Sequence, residues 1–137
     1  MRFAWAIVYV RDVAANVRFY QAAFGLDLRF AAEGGEYAEL ETGGTALSST
    51  TLGLAASTMA ASNFAPPIRE NEASAPPAGF EIGFEAEDVA AAYARAIEAG
   101  ATPLAEPVEK PWGQTVAYVR DPDGIVVELG SPMAGVG

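Results

Sequence analysis

Apolar and polar positions follow two rhythms along this chain. Phe3 to Val10 (FAWAIVYV) is a run of β-branched and aromatic residues and reads as a buried strand. Asp12 then offers an N-cap oxygen, and Val13, Val17, Tyr20 and Phe24 recur at helical spacing. Gly25 follows as a left-handed stop. Three short strands are predicted next, at Leu26 to Ala31, Tyr37 to Glu41 and Thr45 to Ser49, with Gly34-Gly35 and Gly43-Gly44 as turns. The rhythm lapses over residues 51–79, a stretch rich in Ala, Ser, Asn and Pro with Pro66-Pro67 and Pro76-Pro77 as breakers. A connector of that length is either a functional loop or a crossover between modules. Leu52, Leu54, Met59 and Phe64 predict that part of it packs down.

The first pattern then returns. Phe80 to Glu85 reads as a strand, Asp88 as a second N-cap, VAAAYARAIEA as a helix, and Gly100 as its stop. Strands fit Thr102 to Pro107, Gln114 to Arg120 and Ile125 to Leu129, with Asp121-Pro122-Asp123-Gly124 as a hairpin turn. Asp12 and Asp88 stand 76 positions apart, Gly25 and Gly100 stand 75 apart, and Gly44 and Gly124 stand 80 apart, with Leu40 matching Val119. The order β-α-β-β-β therefore occurs twice. The prediction is an α+β fold of two tandem βαβββ modules, residues 1–50 and 80–131, joined by the connector 51–79 in one domain. One such module is too small to bury its own sheet, so the two are expected to pair about a pseudo-two-fold axis.

Composition narrows the chemistry. The 137 residues contain no cysteine and no histidine, which removes disulfides, thiolate metal sites, the usual neutral-pH base and the commonest nitrogen ligand. A Ser-His-Asp triad is thus impossible, and no phosphate-cradling glycine motif occurs. The net charge of −10 disfavours nucleic acid and anionic membranes as partners. No apolar run reaches membrane-spanning length. Met1 leads straight into a strand-like segment without a signal-peptide pattern, so a cytoplasmic location is expected.

Two segments carry a family resemblance. YVRDVAANVRFYQAAFGL resembles the opening helix signature of the vicinal oxygen chelate superfamily, and KPWGQTVAYVRDPDGIVVEL resembles its closing signature. That superfamily includes glyoxalases, extradiol dioxygenases, epimerases, fosfomycin-modifying enzymes and bleomycin-binding resistance proteins. The resemblance implies the glyoxalase/bleomycin-resistance fold with a cavity enclosed by paired modules, and commonly a homodimer. It also implies, for the metal enzymes of the family, a divalent ion held by inward-facing His and Glu. Carried over by position, those ligand sites fall on Trp5 and its repeat mate Glu81, and on Glu128 and its repeat mate Ser48. An indole has no lone pair for a metal, and a serine hydroxyl is a poor ligand. Two carboxylates alone hold a hard ion such as Mg²⁺ chiefly with help from a substrate phosphate. The expectation is therefore no metal and no other cofactor.

Each candidate has a plain reading and a functional one. Trp5 is either core or a cavity wall that stacks on a flat ligand. Glu81 and Glu128 either face solvent or face a common cavity, where they would bind a cation, share a proton, or pair with an arginine. Trp112 and Gln114, around Gly113, are either a packed loop or a stacking and orienting pair at the cavity border. Phe19 and Tyr20 are expected in the core, and Tyr9, Tyr37 and Tyr118 lie on strands facing either way. The leading expectation is metal-independent sequestration of a small, cationic, aromatic molecule, as in the bleomycin-resistance branch. The alternative is a glyoxalase-like lyase or isomerase, or a dioxygenase-type enzyme, using Glu81 and Glu128 with or without a divalent metal. A partner protein with a vestigial cavity is a third reading.

Overall fold

The computed structural model describes residues 1–43 and 50–133. The first half runs β1 (Trp5–Val10), α1 (Val13–Phe24), β2 (Leu28–Ala31), β3 (Tyr37–Leu40) and β4 (Thr51–Ala56). A 3₁₀ turn (Ser57–Met59) and the short α2 (Ala60–Asn63) follow. The second half runs β5 (Glu81–Glu85), α3 (Val89–Glu98), β6 (Thr102–Glu109), β7 (Thr115–Arg120) and β8 (Val126–Gly130). The strands form two four-stranded sheets of identical order, β1-β4-β3-β2 and β5-β8-β7-β6. In each, the first strand pairs in parallel with the fourth and the remaining pairs are antiparallel. The α+β class and the tandem βαβββ pattern are thus present as the sequence predicts.

The local chemistry accounts for the helix ends. Asp12 Oδ1 accepts from the Ala15 N–H at 2.9 Å, and Asp88 Oδ1 accepts from the Ala91 N–H at 3.0 Å, so both helices start on equivalent aspartates. Gly25 takes φ 70° and its N–H closes on the Gln21 carbonyl, which a residue with a Cβ would do only under strain. In the last hairpin, the buried Asp121 carboxylate accepts from the N–H groups of Asp123 and Ile125. That bonding closes the segment as the hairpin turn the sequence predicts.

The fourth strand of the first half differs from expectation. It is Thr51–Ala56, inside the stretch read as connector; the predicted strand Thr45–Ser49, with Ser48, lies outside the described residues. TLGLAA reads poorly as a strand because Gly53, Ala55 and Ala56 have low β propensity and the segment runs into an alanine-rich tract. It nevertheless lies in the middle of its sheet, where burial on both faces favours small and apolar residues over alternation. The first βαβββ pattern therefore extends past residue 50.

Two compact units result. The first comprises residues 1–21 and 25–70, and the second comprises residues 22–24 and those from 71 onward. Val8, Val10, Val13, Phe19, Tyr20, Leu40, Leu52 and Leu54 are the large buried side chains of the first. Val89, Val116, Val119, Ile125, Val127 and Leu129 are those of the second, where α3 packs on β6, β7 and β8. Arg95 of α3 donates from Nε to the Ala22 carbonyl, and the Phe24 and Phe84 rings lie 4.9 Å apart, which ties the last turn of α1 into this unit.

Candidate functional site

Strand alternation gives each sheet a core face and a polar face. In the second unit Ile82, Phe84, Ala117, Val119, Val127 and Leu129 point one way. Glu81 and Gly83 of β5, Glu128 of β8 and Tyr118 of β7 share the other. The ladder sets Glu128 beside Gly83 on one side and opposite Tyr118 on the other. A methyl group at Gly83 would sit 3.5 Å from Glu128 Oε2, so the glycine leaves the carboxylate room to lie across β5. The Tyr118 hydroxyl donates weakly to Glu128 Oε1 at 3.4 Å.

The electrostatics follow from that grouping. Burial, and then the charge of Glu128, push the Glu81 carboxyl above the usual carboxylate range. Burial raises the Tyr118 hydroxyl too, with the charges of Glu128 and Glu81 and the hydrogen bond to Glu128 adding to it. Arginine pairing of these glutamates was one of the open readings. Among the described residues the ion pairs join Arg11 to Glu70 and Arg29 to Glu41, and neither Glu81 nor Glu128 has one.

An open cleft of about 230 Å³ lies beside this group, lined by Gly83, Phe84, Glu85, Gln114, Glu128 and Gly130. Gln114 is fixed at both ends of its amide. Its Oε1 accepts from the Trp112 indole N–H at 3.0 Å, and its Nε2 donates to the Ser131 carbonyl at 3.0 Å. A methyl group at Gly130 would come within 2.9 Å of Gln114 Nε2, so this glycine too clears space for a side chain. Trp112 is 62% exposed and holds Gln114 instead of lining the cleft. A larger hollow of about 320 Å³ lies against α3, walled by Phe24, Phe84, Leu129 and several alanines with Glu85 and Arg95. Its lining includes neither Gln114 nor Glu128, and we place the candidate site at the smaller cleft for that reason.

The first unit has a polar face of its own. Trp5, Ile7 and Tyr9 of β1 alternate with buried Val8 and Val10, and Trp5 is 60% exposed. Tyr9 packs edge-on against Phe64. On β3 the Tyr37 hydroxyl donates to Glu39 Oε2 at 2.9 Å. Burial, together with the hydrogen bond to Glu39 and its charge, pushes that hydroxyl up to about 12. Arg29 donates to the Thr51 hydroxyl at 2.9 Å and faces Glu41 at 3.7 Å.

The strand registers also correct the repeat alignment. Trp5 pairs with Thr51 as Glu81 pairs with Val126, which confirms Trp5 and Glu81 as repeat mates. Ile7 pairs with Gly53 as Gly83 pairs with Glu128, so the mate of Glu128 is Gly53 and not Ser48. Glu81 and Glu128 lie on the same sheet face, and Gln114 lines the cleft together with Glu128. Tyr37 and Tyr118 are among the strand tyrosines whose facing the sequence leaves open, while Glu39, Gly83 and Gly130 carry no signal in the sequence that singles them out. Tyr118 was legible in retrospect, since it mirrors Glu128 across the Asp121–Gly124 turn.

A family model for the glyoxalase/bleomycin resistance protein/dioxygenase superfamily matches residues 2–129. The chain belongs to this superfamily. Similar solved structures include a glyoxalase-related enzyme from Fulvimarina pelagi, 21% identical, with a TM-score of 0.80 over 96% of this chain and 88% of that one. A glyoxalase/bleomycin resistance protein/dioxygenase family enzyme from Burkholderia phytofirmans PsJN is 22% identical, with a TM-score of 0.75 over 96% and 98% of the two chains. A superfamily member from Sphaerobacter thermophilus DSM 20745 is 21% identical, with a TM-score of 0.74 over 96% and 98%. At these identities the likeness concerns the fold. Comparison with curated protein sequences finds no match.

The divalent ion that this superfamily implies does not fit the residues present. Its four positional equivalents here are Trp5, Gly53, Glu81 and Glu128. Indole N–H is a donor only, and glycine has no side chain to offer. Among the described residues no group of three or more His, Cys, Asp or Glu side chains converges to hold a metal. No helix among the described residues is long and apolar enough to cross a membrane.

Proposed function

We propose that this superfamily member binds a small organic cation bearing a flat ring, without a metal ion, at the cleft beside Glu128. One observation carries the reading: Glu81 and Glu128 share a sheet face, burial and the charge of Glu128 push the Glu81 carboxyl up, and neither makes an ion pair among the described residues. A ligand cation would relieve that repulsion. Gln114, held by Trp112 and the Ser131 carbonyl, offers a fixed amide for orientation, and Gly83 and Gly130 leave the floor flat.

Benzamidine tests this, with benzamide as the neutral and benzoate as the anionic match, each titrated in the presence of chelator. Benzamidine alone should bind saturably, and Glu128→Gln should weaken it at least tenfold. Binding of benzoate in preference, or of none of the three, would sink the proposal. A second reading, a glyoxalase-like isomerase or lyase, draws support from the same pair: Glu81 retains its proton longer than a free carboxyl and could serve as the acid of an acid–base couple. Turnover of an α-hydroxycarbonyl compound, lost in both Glu81→Gln and Glu128→Gln, would favour it over sequestration.

A further inference from the structure

The hollow of about 320 Å³ in the second unit is walled by the last turn of α1, the end of β5, one face of α3 and β8. Its size is that of a small-molecule site, which spans about 300–1,000 Å³. The Phe24 and Phe84 rings lie 4.9 Å apart with 30° between their planes and make an aromatic wall. Opposite them α3 presents Ala91 and Ala92, whose small side chains leave the space open. Two charged residues complete the lining. Arg95 donates from Nε to the Ala22 carbonyl at 2.9 Å, which fixes the guanidinium and leaves its terminal nitrogens outside that bond. Glu85 lines the same hollow, and neither residue makes an ion pair among the described residues, with the other or with a third. None of Trp5, Gly53, Glu81 and Glu128 belongs to these walls.

We infer that this hollow is a second binding site, which takes a free α-amino acid with an apolar side chain. Opposite charges that line one apolar hollow without meeting call for a ligand that carries both signs. A simple anion would meet Arg95 but also Glu85 and a chain of net charge −10, and a simple cation would meet the Arg95 guanidinium. An uncharged ligand would leave both charges unmatched. A zwitterion satisfies the set. Its carboxylate accepts from the terminal guanidinium nitrogens, which offer paired N–H groups in one plane. Its ammonium donates to Glu85, and its side chain covers the Phe24 and Phe84 rings and Leu129. Phe84 and Leu129 alternate with Gly83 and Glu128 along their strands, so the aromatic wall belongs to the opposite sheet face from the Glu128 carboxylate.

The inference goes beyond the cleft at Glu128, and the two can fail separately. L-Phenylalanine is titrated into the intact protein and followed by two-dimensional NMR at the Ala91 and Ala92 amides. Hydrocinnamate and phenethylamine serve as the matches that lack the ammonium and the carboxylate. Saturable shifts with L-phenylalanine are expected, at least tenfold tighter than with either match. Glu85→Gln and Arg95→Gln should each weaken that binding at least tenfold, while Glu128→Gln leaves it unchanged. Arg95 also holds the Ala22 carbonyl, so the exposed Glu85→Gln is the variant that decides, and its dispersed spectrum reports that the fold is kept. Equal binding of either match, unchanged binding in Glu85→Gln, or no saturable shift at Ala91 and Ala92 overturns the inference. Loss of L-phenylalanine binding in Glu128→Gln would put the ligand in the cleft and overturns it as well.

Discussion

Glu81 and Glu128 owe their interest to sharing a sheet face without an ion pair among the described residues. Glu81 and Glu128 lie diagonally on adjacent parallel strands, where like charges repel. The sign of the pH dependence follows from the raised Glu81 value. Below the unfolded carboxyl's pKa, folded and unfolded chains are both protonated at this residue. As pH rises from the unfolded value to the higher folded one, the unfolded chain ionises first and stability falls, levelling off once Glu81 is ionised in the fold too. Glu81→Gln should therefore raise the melting temperature at neutral pH, with the gain shrinking as the solution is made acid. Thermal melts across that range check it; a variant less stable than wild type at neutral pH would show that Glu81 makes a favourable contact instead.

At the scale of elements, what was legible in the sequence was what is local. Asp12, Asp88, Gly25 and the Asp121–Gly124 turn act within a few residues of themselves, and each stands in the structure as its chemistry predicts. Replacing either capping aspartate by alanine should cost about 1 kcal/mol in denaturant unfolding, and similar losses at both would express the repeat energetically. A negligible change at either would mean that its helix start is held by other contacts. Strand β4 was misplaced because its pairing partners, β1 and β3, are non-local, and its small residues carry a weak strand signal. That slip carried the ligand alignment with it. The register moves Glu128's mate from Ser48 to Gly53, and no spacing rule along the chain would have exposed it. The hydrogen bond from the Trp112 indole to Gln114 was not legible in the sequence, because it depends on side-chain placement.

For the whole molecule, one superfamily fold is used with a changed set of donors. The sheets repeat strand for strand, while the four positions that would hold a metal carry an indole, a glycine and two glutamates. With no histidine or cysteine anywhere in the chain, the means of recognition left are carboxylates, tyrosine hydroxyls, amides and tryptophan rings. Such groups suit hydrogen-bond donors and cations, and the net charge of −10 favours the approach of a cationic ligand. The most direct test of this account is calorimetric titration of the chelator-stripped protein with Mg²⁺, Mn²⁺, Zn²⁺ and Ni²⁺ in turn. The account predicts no saturable, stoichiometric binding of any of them. One ion bound per chain, and lost in Glu128→Gln, would contradict it and return Glu81 and Glu128 to the role of metal ligands.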